Sequence, residues 1–260
     1  MFKVPADAYD RYVGRYSPSL ARELTEFAQA KPGQRALDVG CGPGALTAHL
    51  VGVLGADHVA AADPSPPFVE ACRARNPGVR VELAPAEQLP FTDGEFDQTM
   101  SQLVVNFMKD AHAGVTEMRR VTRSGGWITS CTWDYAEGMT LIRTFFDAAV
   151  ALDPAAAEHD EGRRMRYCQP DELRDLWLAT GLADVEARPL VVRAAYRDFA
   201  DLWSPLEYGV GPAGAYAMSL DEQHREALRD ELRRRLGVAD APFELTARAW
   251  AARGRVPGAA

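Results

Sequence analysis

The run Leu37-Asp38-Val39-Gly40-Cys41-Gly42-Pro43-Gly44 constrains the fold of this chain more than any other segment. Arg35–Val39 reads as a short strand and Ala45–Leu54 as a helix, with glycines at three alternate positions between them. Such glycines permit a tight turn and let a ligand approach the backbone N–H groups at the helix N-terminus. The spacing Gly40-x-Gly42-x-x-Ala45 satisfies the dinucleotide-binding pattern, and Asp63 follows at a suitable distance. An acidic residue at the end of the second strand serves any nucleotide cofactor with a ribose diol. Asp38, two residues before the first glycine, suits a cationic, amino-bearing ligand better than an anionic pyrophosphate.

The rest of the first half repeats the same rhythm. Ser17-Pro18 opens a helix to about Ala30. Strands are predicted at 58–62, 79–83, 96–101 and 126–132, with helices from Ser65-Pro66 to about Arg75 and over 111–122. Strands separated by helices of this length form βαβ units and a parallel, doubly wound sheet, whose ligands sit at the carboxyl ends of the strands. Beyond residue 134 the pattern changes: a helix over 138–152, a polar loop over 153–170, a helix over 171–180 and a sixth strand over 184–193. A capping box at Ser219-Leu220-Asp221-Glu222 starts a helix to Leu236, with Gly237 past its end. A seventh strand is predicted over 243–251, so residues 194–240 read as a helical insertion before the last strand.

The net charge of −8 disfavours a nucleic-acid partner, because phosphate binding needs a basic face. No apolar stretch has the length of a signal peptide core or a membrane span, which predicts a cytoplasmic protein with no membrane partner. Cys41, Cys72, Cys131 and Cys168 are scattered, which points to reduced thiols and to no metal site.

Four segments in order resemble the class I S-adenosylmethionine-dependent methyltransferases, in particular the small-molecule branch similar to the ubiquinone/menaquinone C-methylase group. They are the glycine run, Ala86-Glu87-Gln88-Leu89-Pro90-Phe91, Glu95-Phe96-Asp97-Gln98-Thr99-Met100-Ser101, and Glu117 to Gly126. The resemblance implies a Rossmann-like α/β fold, a seven-stranded mostly parallel sheet, over a single methyltransferase domain of residues 1–260. It implies S-adenosyl-L-methionine as cofactor, with Gly40, Cys41 and Gly42 lining its methionine part and Asp38 beneath the amino group. Asp63 would take the ribose hydroxyls, Pro64 would lie against the adenine, Ala86 and Glu87 would border its edge, and Gln102 would face the methionine part. Residues 1–30 would form a helical cap over the cofactor, with Tyr12 or Arg15 meeting its carboxylate. Pro85 stands where the family often has an acidic residue, so adenine recognition rests more on Ala86 and Glu87.

Methyl transfer from a sulfonium asks mainly for alignment, and a general base matters only where the acceptor loses a proton. No histidine stands out as that base, and no Asn-Pro-Pro-Tyr-type tetrad follows the fourth strand. The acceptor pocket is expected from Asn106, Phe107, Trp133, Trp203 and Tyr208, with the insertion at 194–240 as a lid. Aromatic residues there fit an apolar or aromatic small molecule, or equally the insertion's own core. Two other readings stay open: an S-adenosylmethionine-binding protein without catalysis, and an NAD(P)-dependent oxidoreductase.

Overall fold

The computed structural model describes residues 11–258. Residues 1–260 read as one domain in sequence; by internal contacts the chain divides into two compact units. Of the described residues, the sheet unit holds 17–132, 166–190 and 249–258, and the helical unit holds 11–16, 133–165 and 191–248.

The strands are β1 Ala36–Val39, β2 Val59–Asp63, β3 Arg80–Leu83, β4 Phe96–Gln102, β5 Thr122–Trp133, β6 Ala183–Tyr196 and β7 Phe243–Arg255. They form one sheet in the order β3-β2-β1-β4-β5-β7-β6. The pairs β2–β3, β1–β2, β1–β4 and β4–β5 are parallel. Strand order therefore reverses between β1 and β4, the switch point beside which a doubly wound sheet binds its ligand. The fold is the expected Rossmann-like mixed sheet, mostly parallel.

In the sheet unit the helices are α1 Ser17–Ala28, α2 Ala45–Leu54, α3 Pro66–Arg75, α4 Ala111–Val121 and, later in the chain, Pro170–Ala179. The pleat of β1 sends Leu37 and Val39 to one face, into a core with Val115 and Met118 of α4 and with Leu173 and Trp177. Asp38 points to the opposite face and meets Thr47 of α2. Helix α4 starts at Asp110, whose carboxylate accepts the Ala113 N–H at 3.0 Å, an N-cap that satisfies one orphan donor.

β5 begins at Thr122, four residues before the expected position. Thr122 lies opposite Phe96, and Trp127 opposite Gln98, so β5 advances five residues while β4 advances two. A bulge absorbs the excess, which a period count cannot register. Gly126 sits in it because a Cβ there would lie 2.7 Å from the Asp97 carbonyl oxygen.

In the helical unit the helices are α5 Thr140–Leu152, α6 Glu161–Arg164, then, beyond Pro170–Ala179 (α7), α8 Phe199–Trp203, α9 Gly211–Ser219 and α10 Glu222–Leu236. The stretch predicted as loop thus contains α6 and a 3-10 turn at Pro154–Glu158. Helices α8, α9 and α10 lie in sequence between β6 and β7. Both strands run longer than their alternation suggests. No helix among the described residues is long and apolar enough to cross a membrane.

Candidate functional site

The loop after β1 is held from below by β2. The Gly40 and Cys41 N–H groups both donate to the Ala62 carbonyl, at 2.7 and 3.0 Å. Gly42 donates its N–H to Asp63 Oδ2 at 2.9 Å, and Ser65 donates to Oδ1 at 2.8 Å. Asp63 is 6% exposed, and burial raises its carboxyl above the usual range against those two hydrogen bonds.

The three glycines serve different ends, although all have positive φ. A Cβ on Gly40 would lie 2.4 Å from Val104, so this glycine lets the β1 loop touch the segment after β4. On Gly44 it would lie 2.4 Å from the Asn76 amide and 2.9 Å from Cys72 Sγ, where α3 packs. On Gly42 it would meet no protein atom within 4 Å. Among the described residues the space above Gly42 is open, unlike that above Gly40 and Gly44.

Asp38 is fully buried. Its Oδ2 accepts the Thr47 hydroxyl at 2.6 Å, while Oδ1 has no partner. Burial, only partly offset by Thr47, pushes its carboxyl up to about 8. A buried half-satisfied carboxyl under a loop is costly on its own and suits a cationic group arriving from outside.

At the end of β4, Gln102 donates to the Ser17 carbonyl at 3.2 Å and keeps a buried, unpartnered Oε1. Leu103 follows with φ 64°, a left-handed conformation that costs a non-glycine residue about 1 kcal/mol. Asn106 has both amide atoms buried without partners, and Phe107 is 44% exposed. Ala86 is buried, and Pro64 is exposed. Glu87 is engaged: its Oε1 accepts the Lys109 and Asp110 N–H groups at 2.9 and 3.2 Å and so fixes the turn into α4.

The remaining expected residues lie in the helical unit. Arg15 spends all five N–H donors there, on the Arg11, Ala195 and Asp201 carbonyls and on the Asp201 carboxylate at 3.2 Å. It keeps none for a cofactor carboxylate. Trp203 donates its indole N–H to Glu207 at 2.9 Å and stacks on Phe199, which makes it core. Tyr208 is 64% exposed. Tyr12 and Trp133 are buried at 3% and 2%, each with an unpartnered polar atom.

Residues 37–130 match the methyltransferase domain family. A demethylmenaquinone methyltransferase of Clavibacter sepedonicus is 32% identical over 235 residues, which cover 84% of this chain and 91% of that one. The chain belongs to the class I S-adenosylmethionine-dependent methyltransferases. The family's cofactor is S-adenosylmethionine, so the dinucleotide reading of the glycine spacing falls. A malonyl-[acyl-carrier protein] O-methyltransferase of Erwinia billingiae is 32% identical over 127 residues, 49% of each chain. The chain thus spans about half the length of that curated relative. Among solved structures, a phosphoethanolamine N-methyltransferase of Haemonchus contortus with bound S-adenosylhomocysteine superposes with a TM-score of 0.57 at 16% identity, over 92% of this chain and 53% of that one.

Two features of this methyltransferase carry no signal in its sequence. One is the left-handed Leu103, whose conformation follows from its N–H donating across to the Cys131 carbonyl at 2.8 Å. The other is Glu161, which lies in the segment read as a polar loop and is only 4% exposed. Among the described residues there is no group of acidic, histidine or cysteine side chains able to hold a metal ion.

Proposed function

We propose that this protein transfers the methyl group of S-adenosylmethionine directly, in line, to a small-molecule acceptor. The open space over Gly42, whose N–H is held by the Asp63 carboxylate, carries the reading, together with the buried, half-satisfied Asp38. Bound S-adenosylmethionine supplies an electrophilic methyl group on a sulfonium that leaves as a neutral thioether. The residues of the sheet unit then have to bind and orient. Asp63 keeps free lone pairs for the ribose diol while Gly42 and Ser65 fix its rotamer. Gly40, Cys41 and Gly42 line the methionine part, with the buried Asp38 countering its ammonium. Gln102 offers its free Oε1 to the same part, and Pro64, Ala86 and Glu87 border the adenine.

Acceptor recognition in the sheet unit falls to Asn106, whose amide has a donor and an acceptor to offer, and to Phe107. The quinone named in the Clavibacter relative supports an aromatic acceptor here. Of the residues 1–30 expected to cap the cofactor, residues 1–10 lie outside the described residues.

Incubation with methyl-labelled S-adenosylmethionine and a metabolite extract tests the reading. Label in an extractable small product supports it. A melting temperature raised by S-adenosylhomocysteine without any label transfer would assign the chain as a cofactor-binding protein without catalysis.

A further inference from the structure

Strand β1 places one carboxyl, that of Asp38, among apolar residues that are all buried. Thr47, in the first turn of α2, donates its hydroxyl to Asp38 Oδ2 at 2.6 Å. That hydroxyl is itself held: Cys72 Sγ of α3 donates to Thr47 Oγ1 at 3.7 Å, and the Asn76 amide donates to Cys72 Sγ at 3.7 Å. Asn76 is anchored in turn, donating to the Cys72 carbonyl at 3.1 Å and to the Gly44 carbonyl at 3.4 Å. Asn76, Cys72, Thr47 and Asp38 are each at most 4% exposed, and all lie in the sheet unit.

Every link of this relay donates toward Asp38, and hydrogen bonds aligned in one direction polarise and strengthen one another. Because Thr47 Oγ1 accepts from Cys72, its own hydrogen is committed to Oδ2. A β-branched side chain in a helix has few rotamers, which fixes that donor further. When Asp38 is neutral its proton therefore sits on Oδ1, the oxygen without a partner. The two hydrogen bonds that favour the ionised form both come from Thr47, one from its hydroxyl and one from its backbone. The titratable groups facing Asp38 are Cys41 of the loop, Asp63 of β2 and Cys72 of α3, and a negative charge on any of them opposes its ionisation. Its register partners, Ala61 on β2 and Met100 on β4, are uncharged.

We infer that Thr47 is a positioning residue for the amino end of the cofactor. It holds Asp38 by Oδ2, so that Oδ1 is the oxygen that gives up its proton to water and accepts a hydrogen bond from the ammonium in its place. The inference rests on the S-adenosylmethionine reading above and adds the residue that makes Asp38 selective for an amino group. A Thr47 that only filled space in α2 would be replaced equally well by valine, which has the same shape and no donor.

The test titrates the full chain calorimetrically with S-adenosylhomocysteine and with its deamino analogue, which keeps the carboxylate and lacks only the amino group. The wild-type protein is expected to prefer S-adenosylhomocysteine by about tenfold or more, the scale of a buried hydrogen bond to a charged group. Thr47→Val should weaken S-adenosylhomocysteine binding by about tenfold and leave the affinity for the analogue unchanged. Thr47→Ser, which keeps the hydroxyl, should restore the wild-type preference. Thr47→Ala is measured in the same way if the valine variant does not fold. A wild-type preference that survives in the valine or alanine variant overturns the inference. So does an equal loss for both ligands, because Thr47 would then shape the loop and not act through Asp38, and so does a serine variant that lacks the preference. Wild-type protein that binds S-adenosylhomocysteine and the analogue equally overturns the inference alone, whereas binding of neither ligand overturns the cofactor reading and the inference with it.

Discussion

Asp63 at the end of β2 reaches across to Gly42 and accepts its N–H at 2.9 Å, while its other oxygen accepts the Ser65 N–H. One carboxylate thereby joins the glycine loop, the second strand and the start of α3, and in the proposed reading it also takes the ribose hydroxyls. Asp63→Ala removes the acceptor for both N–H groups and for the ribose. Calorimetric titration is expected to show S-adenosylhomocysteine binding weakened by at least about tenfold, or about 1.4 kcal/mol. An unchanged affinity would remove Asp63 from the cofactor site.

Gly42 and Gly44 differ in what a side chain there would meet. Gly44→Ala drives a Cβ into Asn76 and Cys72 and should lower the melting temperature of the free protein. Gly42→Ala meets no protein atom and costs only the strain of its positive φ, about 1 kcal/mol. Its methyl group instead occupies the open space above the loop. The thermal upshift given by S-adenosylhomocysteine is therefore expected to vanish in Gly42→Ala, and equal upshifts in Gly42→Ala and wild type would contradict the placement.

Asp38 offers a proton count. With its carboxyl pushed up to about 8, the free protein holds a proton there at pH 7. An ammonium group arriving beside it favours the ionised form and draws the pKa down. Binding of S-adenosylhomocysteine, which carries the same amino group, should then release close to one proton. Titrations in two buffers of different ionisation enthalpy will show a binding heat that depends on the buffer, and Asp38→Asn should erase most of that dependence.

What the sequence disclosed follows from how local each cause is. The glycine run, Asp63 and Asp38 lie within one strand–turn–helix and the strand beside it, so residue type and spacing display their roles directly. Arg15 looked free in the sequence because Asp201, which binds it, lies 186 positions away. Trp203 is held as core by Glu207 only four residues on, but nothing in residue type separates that from a pocket wall. Glu161 read as one charge in a solvated run. Its burial depends on Arg143 holding Asp160 from 17 residues upstream, and no periodicity reports an ion pair at that separation.

The pH dependence of stability gives a test that needs no ligand. Glu161 and Asp38 both titrate at about 8 in the folded chain, far above the usual carboxylate range, and burial is the main cause for each. The folded state keeps two protons that the unfolded chain gives up above about pH 4.5. Folding stability from these groups is fully present below that pH and is lost as pH rises toward 8, at about 1.4 kcal/mol per pH unit for each group. Glu161→Gln cannot ionise, so one of the two contributions disappears. Urea unfolding at pH 5, 6, 7 and 8 should show stability falling more steeply with pH in the wild-type protein than in Glu161→Gln. The variant should be the more stable of the two at pH 8 relative to their difference at pH 5. Parallel pH profiles would mean that Glu161 is ionised in the folded protein, and a carboxylate with no partner could not stay buried there in that form.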